Sequence, residues 1–382
     1  MKEKQYTLGD FVEVPLSSMI DPQSSSYDRF VGLEHYDSHE PVITRYSGKE
    51  ILTSSVKEFK RGDILIARRN VYLERSGVAI FDGITSGDSI ILRVKEDIDH
   101  NTGIPAELVK RILPFVLNSN SFWAYANRHA DGMNSKRISK DKILDFEFNL
   151  PSIEYLSLLS DKLWAAYELK RSYQDIIKAT DEMVKSQFIE MFGGNQYKQA
   201  ELDTLAKDWQ KGQAFKKDNL MDDGKYKCIH YGELFTKYGP IIDSVLSSTD
   251  DNMIKGSKKG DILFPASDVT PVGLARCSAL MLDDVLLGGD IIVLRPQAGI
   301  IPEYLSWAIN MQKDQLLKRV TGSVVRHMSA KGLKSVTVPI PPKEIQQHFI
   351  SIVKQADKSK FELKKAIEAI DKVIKSLINE NL

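Results

Sequence analysis

The side chains best suited to chemistry in this sequence are basic, and they lie in acid-poor runs. From Leu316 to Lys334, LLKRVTGSVVRHMSAKGLK carries Lys318, Arg319, Arg326, Lys331 and Lys334 and no acidic residue. From Asn127 to Lys142, NRHADGMNSKRISKDK carries Arg128, Lys136, Arg137, Lys140 and Lys142 against Asp131 and Asp141. A third basic run extends from Arg68, Arg69 and Asn70 to Arg75. Lys and Arg neutralise phosphates, while Arg, Asn, Ser and His can hydrogen-bond to base edges. The Gly and Ser residues that punctuate the first two runs let backbone approach a phosphate and donate N–H groups to it. Solvated loop charge is the alternative reading of any single run. Two such runs at equivalent places in a repeat weigh against it.

Motifs for other chemistry are missing. There is no GxxxxGK[ST] loop and no GxGxxG after a strand, so no nucleotide cofactor is expected. The two cysteines, Cys228 and Cys277, stand far apart without a CxxC, an HExxH or clustered histidines, so no metal is expected. Glu58-Phe59-Lys60 and Glu362-Leu363-Lys364 match the end of a nuclease metal motif, but no Pro-Asp precedes either. The Asn-Pro-Pro-aromatic or Asp-Pro-Pro-aromatic tetrapeptide that would hold an adenine amino group is missing too. The chain is expected not to be an enzyme. Trp123, Tyr125 and Trp307 flank the basic runs and are expected in the core rather than stacked on bases.

The elements that must position the basic runs come in two copies. Gly62-Asp63-Ile64-Leu65 recurs as Gly260-Asp261-Ile262-Leu263, and Phe30-Val31 aligns with Cys228-Ile229 at the same spacing. Gly87-Asp88-Ser89-Ile90-Ile91-Leu92-Arg93 matches Gly289-Asp290-Ile291-Ile292-Val293-Leu294-Arg295. Gly132 pairs with Gly322, Ile138-Ser139 with Met328-Ser329, and Leu150-Pro151 with Ile340-Pro341. Blocks in the same order with small drifts in spacing are what loop insertions in a duplicated domain produce. Short β-rich runs (DILIA, VAIFD, DSIILRV and FEFNL, then DILFPA, ALML, DIIVLRP and SVTVPI) are bounded by turn residues. Segments around 105–117 and 302–317 read as amphipathic helices.

Each copy ends in a long stretch free of Gly and Pro, one after Pro151 and one after Pro341-Pro342. Each predicts a helix of about 37 residues, roughly 55 Å long. In the second, Ile345, Phe349, Ile352, Ala356, Ser359, Leu363, Ala366, Ile370, Val373 and Leu377 alternate at spacings of four and three, a coiled-coil seam. In the first, Leu159, Leu163, Ala166, Tyr173, Ile177 and Val184 keep that phase, with Lys170 and Thr180 interrupting it. The expected architecture is α+β. Residues 1–151 and 193–341 form two globular domains, and 152–192 and 342–382 form two long helices.

The 382 residues hold 52 Lys+Arg and 52 Asp+Glu, so the formal net charge is zero, and 42% hydrophobic content is ordinary for a globular protein. Two cysteines make no disulfide framework, and neither a charged-then-apolar leader nor a membrane-length apolar run is read, which points to the cytoplasm. Zero net charge argues against a nucleic-acid partner only while charge is counted globally. The basic runs are local.

Taken together, KKGDILFPASD, GGDIIVLRP, the basic loop VTGSVVRHMS, and SVTVPIPPKEIQQHFISIV opening a long helix resemble the specificity subunits of type I restriction–modification systems. The first copy keeps the strand–proline–helix junction loosely, as LDFEFNLPSIEYLSLL. The resemblance spans the whole chain. It implies two target-recognition domains, each reading one half of a bipartite double-stranded DNA site, with long antiparallel coiled-coil helices that separate the domains in a pseudo-twofold repeat. It further implies docking of methyltransferase (modification) subunits on the helices, with a motor-nuclease (restriction) subunit completing the complex, and no cofactor of the chain's own. By that pattern Lys318, Arg319, Ser323, Arg326, His327 and Lys331 face DNA in the second domain, and Lys136, Arg137 and Lys140 in the first. Arg68, Arg69, Asn70 and Arg128 join them as candidates from the basic runs. Leu159, Leu163, Tyr173, Ile177, Ile345, Phe349, Ile352, Leu363, Ile370, Val373 and Leu377 are the candidates for the helix seam and partner contacts. Two other readings stand beside this one: a free-standing nuclease or methyltransferase, and a coiled-coil scaffold with no nucleic-acid partner.

Overall fold

In the computed structural model, residues 4–16, 19–50, 52–194, 196–213, 217–251 and 256–382 are described. The chain divides into two units, Met1–Asp175 with Leu363–Leu382, and Ile176–Glu362. Each is mixed α+β and is described by itself.

The first unit is built on a five-stranded sheet in the order Val12–Glu13, Ser89–Val94, Ile64–Ala67, Ser76–Ala79, Val42–Ile43. Successive side chains of a strand point to opposite faces. Ile64 and Ile66 therefore enter one buried cluster, with Leu92, Ile112, Phe122 and Trp123, while Leu65 and Ala67 enter another, with Val31, Phe59 and Ile91. A three-stranded sheet and a two-stranded ribbon, Lys4–Thr7 with Glu147–Leu150, complete the β structure. The second unit repeats the plan. Its five-stranded sheet runs Ala206–Lys211, Ile291–Pro296, Asp261–Pro265, Ser278–Leu280, Ile241–Ile242, and Gln199–Glu201 pairs with Thr337–Pro339.

Register confirms the duplication residue by residue. Ile64 stands opposite Leu92 and Ile262 opposite Leu294, the pairs that the repeated blocks align. The parallel pairs Phe30↔Ile84 and Cys228↔Leu286 correspond as well. The GDIL block recurs because it is a turn as well as a strand. Gly62 and Gly260 hold φ of 92° and 93°, a region that L side chains rarely enter. The aspartate that follows accepts the backbone N–H three residues upstream, from Lys60 to Asp63 and from Lys258 to Asp261, each at 2.8 Å.

The predicted helix at 105–117 spans Ala106–Val116, whereas the one predicted at 302–317 is broken into Pro302–Asn310 and Lys313–Leu317. Trp123 is fully buried and Trp307 packs against the second core, as expected of core aromatics.

The two long helices are Ile153–Phe192 and Lys343–Asn381. Within the first unit, Leu156, Leu159 and Leu163 share a cluster with Ile378, and Lys170 forms an ion pair with Asp371 at 2.8 Å. Within the second, Val184, Phe188 and Phe192 pack with Phe349, Ile350, Val353 and Ala356, and Lys360 pairs with Asp181 at 2.6 Å. In both units the partner number falls as the residue number rises, so the segments run antiparallel. Lys170, which interrupts the seam by sequence, is buried in it. Tyr173 and Ile177 are half-buried, as are Ile345, Ile352, Leu363, Ile370 and Leu377, and Val373 is 52% exposed. Among the described residues no helix is long and apolar enough to cross a membrane.

Candidate nucleic-acid interface

The two basic runs fold into the same object. In the first unit, Asp131 and Arg137 exchange both backbone hydrogen bonds (2.9 and 2.8 Å), closing a small hairpin over residues 131–137. In the second, Thr321 and His327 do the same at 3.0 and 2.8 Å. Each hairpin turns at a glycine in the left-handed region, Gly132 at φ 110° and Gly322 at φ 91°. A Cβ there would stand 3.1 Å from the Ser135 carbonyl oxygen and 2.2 Å from that of Val325, so the loop needs glycine for two reasons.

Each hairpin is then sewn to the end of its GDIL strand. The Asn70 N–H donates to Lys136 O at 2.8 Å and the Ile138 N–H to Arg68 O at 3.1 Å. Asn70 adopts a left-handed conformation at φ 54°, which asparagine tolerates better than most residues. In the second unit Ser267 and Asp268 pair with His327 and Arg326, and the Met328 N–H donates to Ala266 O. A serine then caps the following helix in both: Ser139 accepts from the Lys142 N–H, and Ser329 from the Gly332 N–H. The basic segments 68–70 and 136–140, separate in sequence, therefore meet in one surface.

In the first unit Arg69, Lys136, Arg137 and Lys140 are exposed and Arg68 and Asn70 half-buried. Arg128, also exposed, stands in the last turn of the helix Asn120–His129. Arg68, Arg69, Gly132, Ser135 and Arg137 line an open cleft of about 470 Å³. Arg69 Nε donates to Ser135 Oγ at 2.9 Å, and that hydroxyl donates to Asn70 Oδ1 at 3.2 Å. Asp88 lies beside both arginines, 3.5 Å from Arg69 Nη1 and 3.3 Å from Arg137 Nη2.

The second unit distributes its candidates differently. Lys318, Ser323, His327 and Lys331 are exposed. Arg319 is turned inward instead: Nη1 donates to Gln315 O at 2.6 Å, and Nη2 to Ser335 O at 2.9 Å and Ser335 Oγ at 3.1 Å. Its guanidinium ties the helix Lys313–Leu317 to the segment before the strand Thr337–Pro339. Arg326, half-buried, folds Nη1 onto the Gly322 carbonyl of its own hairpin. Lys334 pairs with Asp203 at 3.1 Å.

Reading the basic runs alone missed the groups that orient them. Asp88 stands within ion-pair distance of Arg69 and Arg137 in the first unit, Ser135 accepts a hydrogen bond from Arg69, and Asp290 accepts from Ser267 Oγ at 2.9 Å in the second. Asp88 and Asp290 occupy matching places in a repeated block, which is the signal that marks them.

Neither cysteine is activated as a nucleophile. Burial pushes the Cys277 thiol up to about 12 and the Cys228 thiol up to about 11, so neither is a thiolate at neutral pH. Both are buried and unpaired with each other. Among the described residues no group of three His, Cys, Asp or Glu could hold a metal ion.

Comparison with known proteins bears on the fold that carries these surfaces. Residues 195–371 match the family model described as the type I restriction modification DNA specificity domain. The chain is similar in fold to the type I restriction–modification system S subunit from M. genitalium, with a TM-score of 0.55 at 12% identity, covering 100% of this chain and 96% of that one. It is equally similar to a chain from a structure describing complex assembly and conformational transition of the type I R-M system, with a TM-score of 0.54 at 16% identity, covering 100% and 98%. No curated protein matches the sequence.

Proposed function

We propose that this chain, whose residues 195–371 match the model of the type I restriction modification DNA specificity domain, is the specificity subunit of such a system. Its role is recognition rather than catalysis. Each unit reads one half of a bipartite site in double-stranded DNA through its glycine-turned hairpin and the strand end sewn to it. In the first unit Arg68, Arg69, Asn70, Arg128, Lys136, Arg137 and Lys140 supply the contacts. In the second they come from Lys318, Ser323, Arg326, His327 and Lys331, with Arg319 holding the loop rather than touching DNA.

One observation carries this reading: the same hairpin, with basic residues on it, occurs at the same place in both copies of the repeat. Exposed Lys and Arg contribute sequence-independent affinity through phosphates, and Arg, Asn, Ser and His contribute discrimination at base edges. The long helices supply the second half of the function. Leu159, Leu163, Tyr173, Ile177, Ile345, Phe349, Ile352, Leu363, Ile370, Val373 and Leu377 form the helix pairing and its flanks. The exposed apolar positions, such as Val373, dock modification subunits, which bring adenine methylation to the site. A restriction subunit joins the same assembly. On this reading the complex would act in the cytoplasm, beside the DNA it reads.

Retention of the full chain on duplex DNA across a salt series tests the reading. Binding should fall steeply, with a log–log slope of roughly −0.9 per phosphate contact. Salt-insensitive retention, or none, favours the coiled-coil scaffold instead.

A further inference from the structure

We propose that Asp88 is a positioning residue for DNA recognition in the first unit, holding the Arg69 and Arg137 guanidiniums in fixed orientation and suppressing binding to the wrong sequence. The proposal rests on the DNA-recognition reading above.

The geometry is a fork. Asp88 Oδ2 lies 3.5 Å from Arg69 Nη1 and Oδ1 lies 3.3 Å from Arg137 Nη2, so one carboxylate spans two arginines from separate segments. Its own backbone is fixed in the same place, because Asp88 O accepts from the Arg68 N–H at 2.9 Å. Arg69 is held at a second point by Ser135, through Nε. Its Nη2 donates no hydrogen bond among the described residues.

Folding does not require this arrangement. Side-chain exposures of 44% for Arg69 and 49% for Arg137 make these ion pairs weak contributors to stability. Recognition does profit from it. Arginine reads guanine through two N–H groups in one plane, so a guanidinium already held in place loses less freedom on binding. A carboxylate between two cations also repels any phosphate or base acceptor brought too close, which penalises a misaligned duplex more than a matched one.

The second unit shows that the acid is the fixed part and the readers are the exchangeable part. Asp290 O accepts from the Ala266 N–H at 2.7 Å, as Asp88 O does from Arg68. Ser267 stands where the first unit has Arg69, and its hydroxyl donates to Asp290 Oδ2. His327 stands where the first unit has Arg137, by the matching backbone pairings Arg69↔Arg137 and Ser267↔His327. On this proposal the first unit presents two arginines beside the acid, whereas the second presents His327 and a buried Ser267, so the two units should prefer different half-site sequences.

The test uses the full chain and a duplex DNA library randomised over the binding region, comparing wild type with Asp88→Asn, Asp88→Glu and Ser135→Ala. Asp88→Asn should lose about tenfold of first half-site discrimination, as expected for one well-made arginine–base contact. It should keep second half-site discrimination and its melting temperature. Its salt dependence should steepen by about one phosphate contact, because a negative charge has left the face. Asp88→Glu should recover part of the discrimination, and Ser135→Ala should lose part of it. Wild-type preference retained in both Asp88→Asn and Ser135→Ala overturns the role of Asp88. A wild-type chain that enriches no site at all overturns the DNA reading itself, and the role of Asp88 with it.

Discussion

The carboxylate of Asp63 accepts two hydrogen bonds from the guanidinium of Arg93, 2.8 Å from Nε and 2.7 Å from Nη2. The second copy repeats it, with Asp261 and Arg295 at 2.8 Å for both bonds. Each pair joins neighbouring strands of the five-stranded sheet, and each aspartate also closes the turn before its strand. This explains why the sequence conserves both a GD block and a distant arginine between its two halves. The hydrogen bonds that Arg93 and Arg295 donate to Asp63 and Asp261 hold these guanidiniums above their ordinary value.

Removing one partner should therefore be costly. Asp261 is 1% exposed, and Asp261→Ala leaves a guanidinium and a turn N–H without their acceptor. A loss of roughly 3 kcal/mol is expected, the cost of breaking a buried pair. Denaturant unfolding should show it as a lowered midpoint with an unchanged slope.

Lys170 makes a prediction about alkaline pH. Burial lowers its ammonium, but hydrogen bonds from the ammonium to Asp371 and Glu40 outweigh burial and hold it above the usual lysine value. A group raised on folding contributes stability that is complete below the unfolded value, about 10.4, and is lost as the pH climbs through the folded one. Lys170→Met should thus be destabilised relative to wild type at pH 7, by roughly 1–2 kcal/mol because Asp371 is half exposed. The gap between the two should narrow above pH 10.5. A gap that stays constant in melts from pH 7 to 11 would count against this role.

Gly322→Ala separates the hairpin from the core. The added Cβ meets the Val325 carbonyl oxygen, and a φ of 91° is strained for alanine at roughly 1–3 kcal/mol. Because the hairpin is exposed, the strain should distort the loop rather than unfold the unit. Melting should shift by only a few degrees, while DNA discrimination at the second half-site should collapse.

How much of this was readable beforehand follows from the physics of each feature. The duplication was legible because turn glycines, their aspartates and period-2 strands leave local marks, as in Gly62-Asp63-Ile64-Leu65. The long helices were legible because nothing in them breaks a helix. Lys170 misled the seam reading, since its burial depends on Asp371 and Glu40, distant in sequence. Arg319 looked like any basic loop residue, and only its contacts with Gln315 and Ser335 show that it braces the loop. Asp88 was visible as a repeat mark but not as a partner of Arg69 and Arg137, because that relation exists only once three segments converge.

Selection of sites from a randomised duplex library by the full chain tests the account most directly, with Arg137→Ala and Arg326→Ala run beside wild type. Wild type should enrich two different half-sites separated by unread bases. Arg137→Ala should relax only the first and Arg326→Ala only the second, each by about 1–3 kcal/mol of discrimination. A single contiguous site, or both variants altering the same half, would contradict the account.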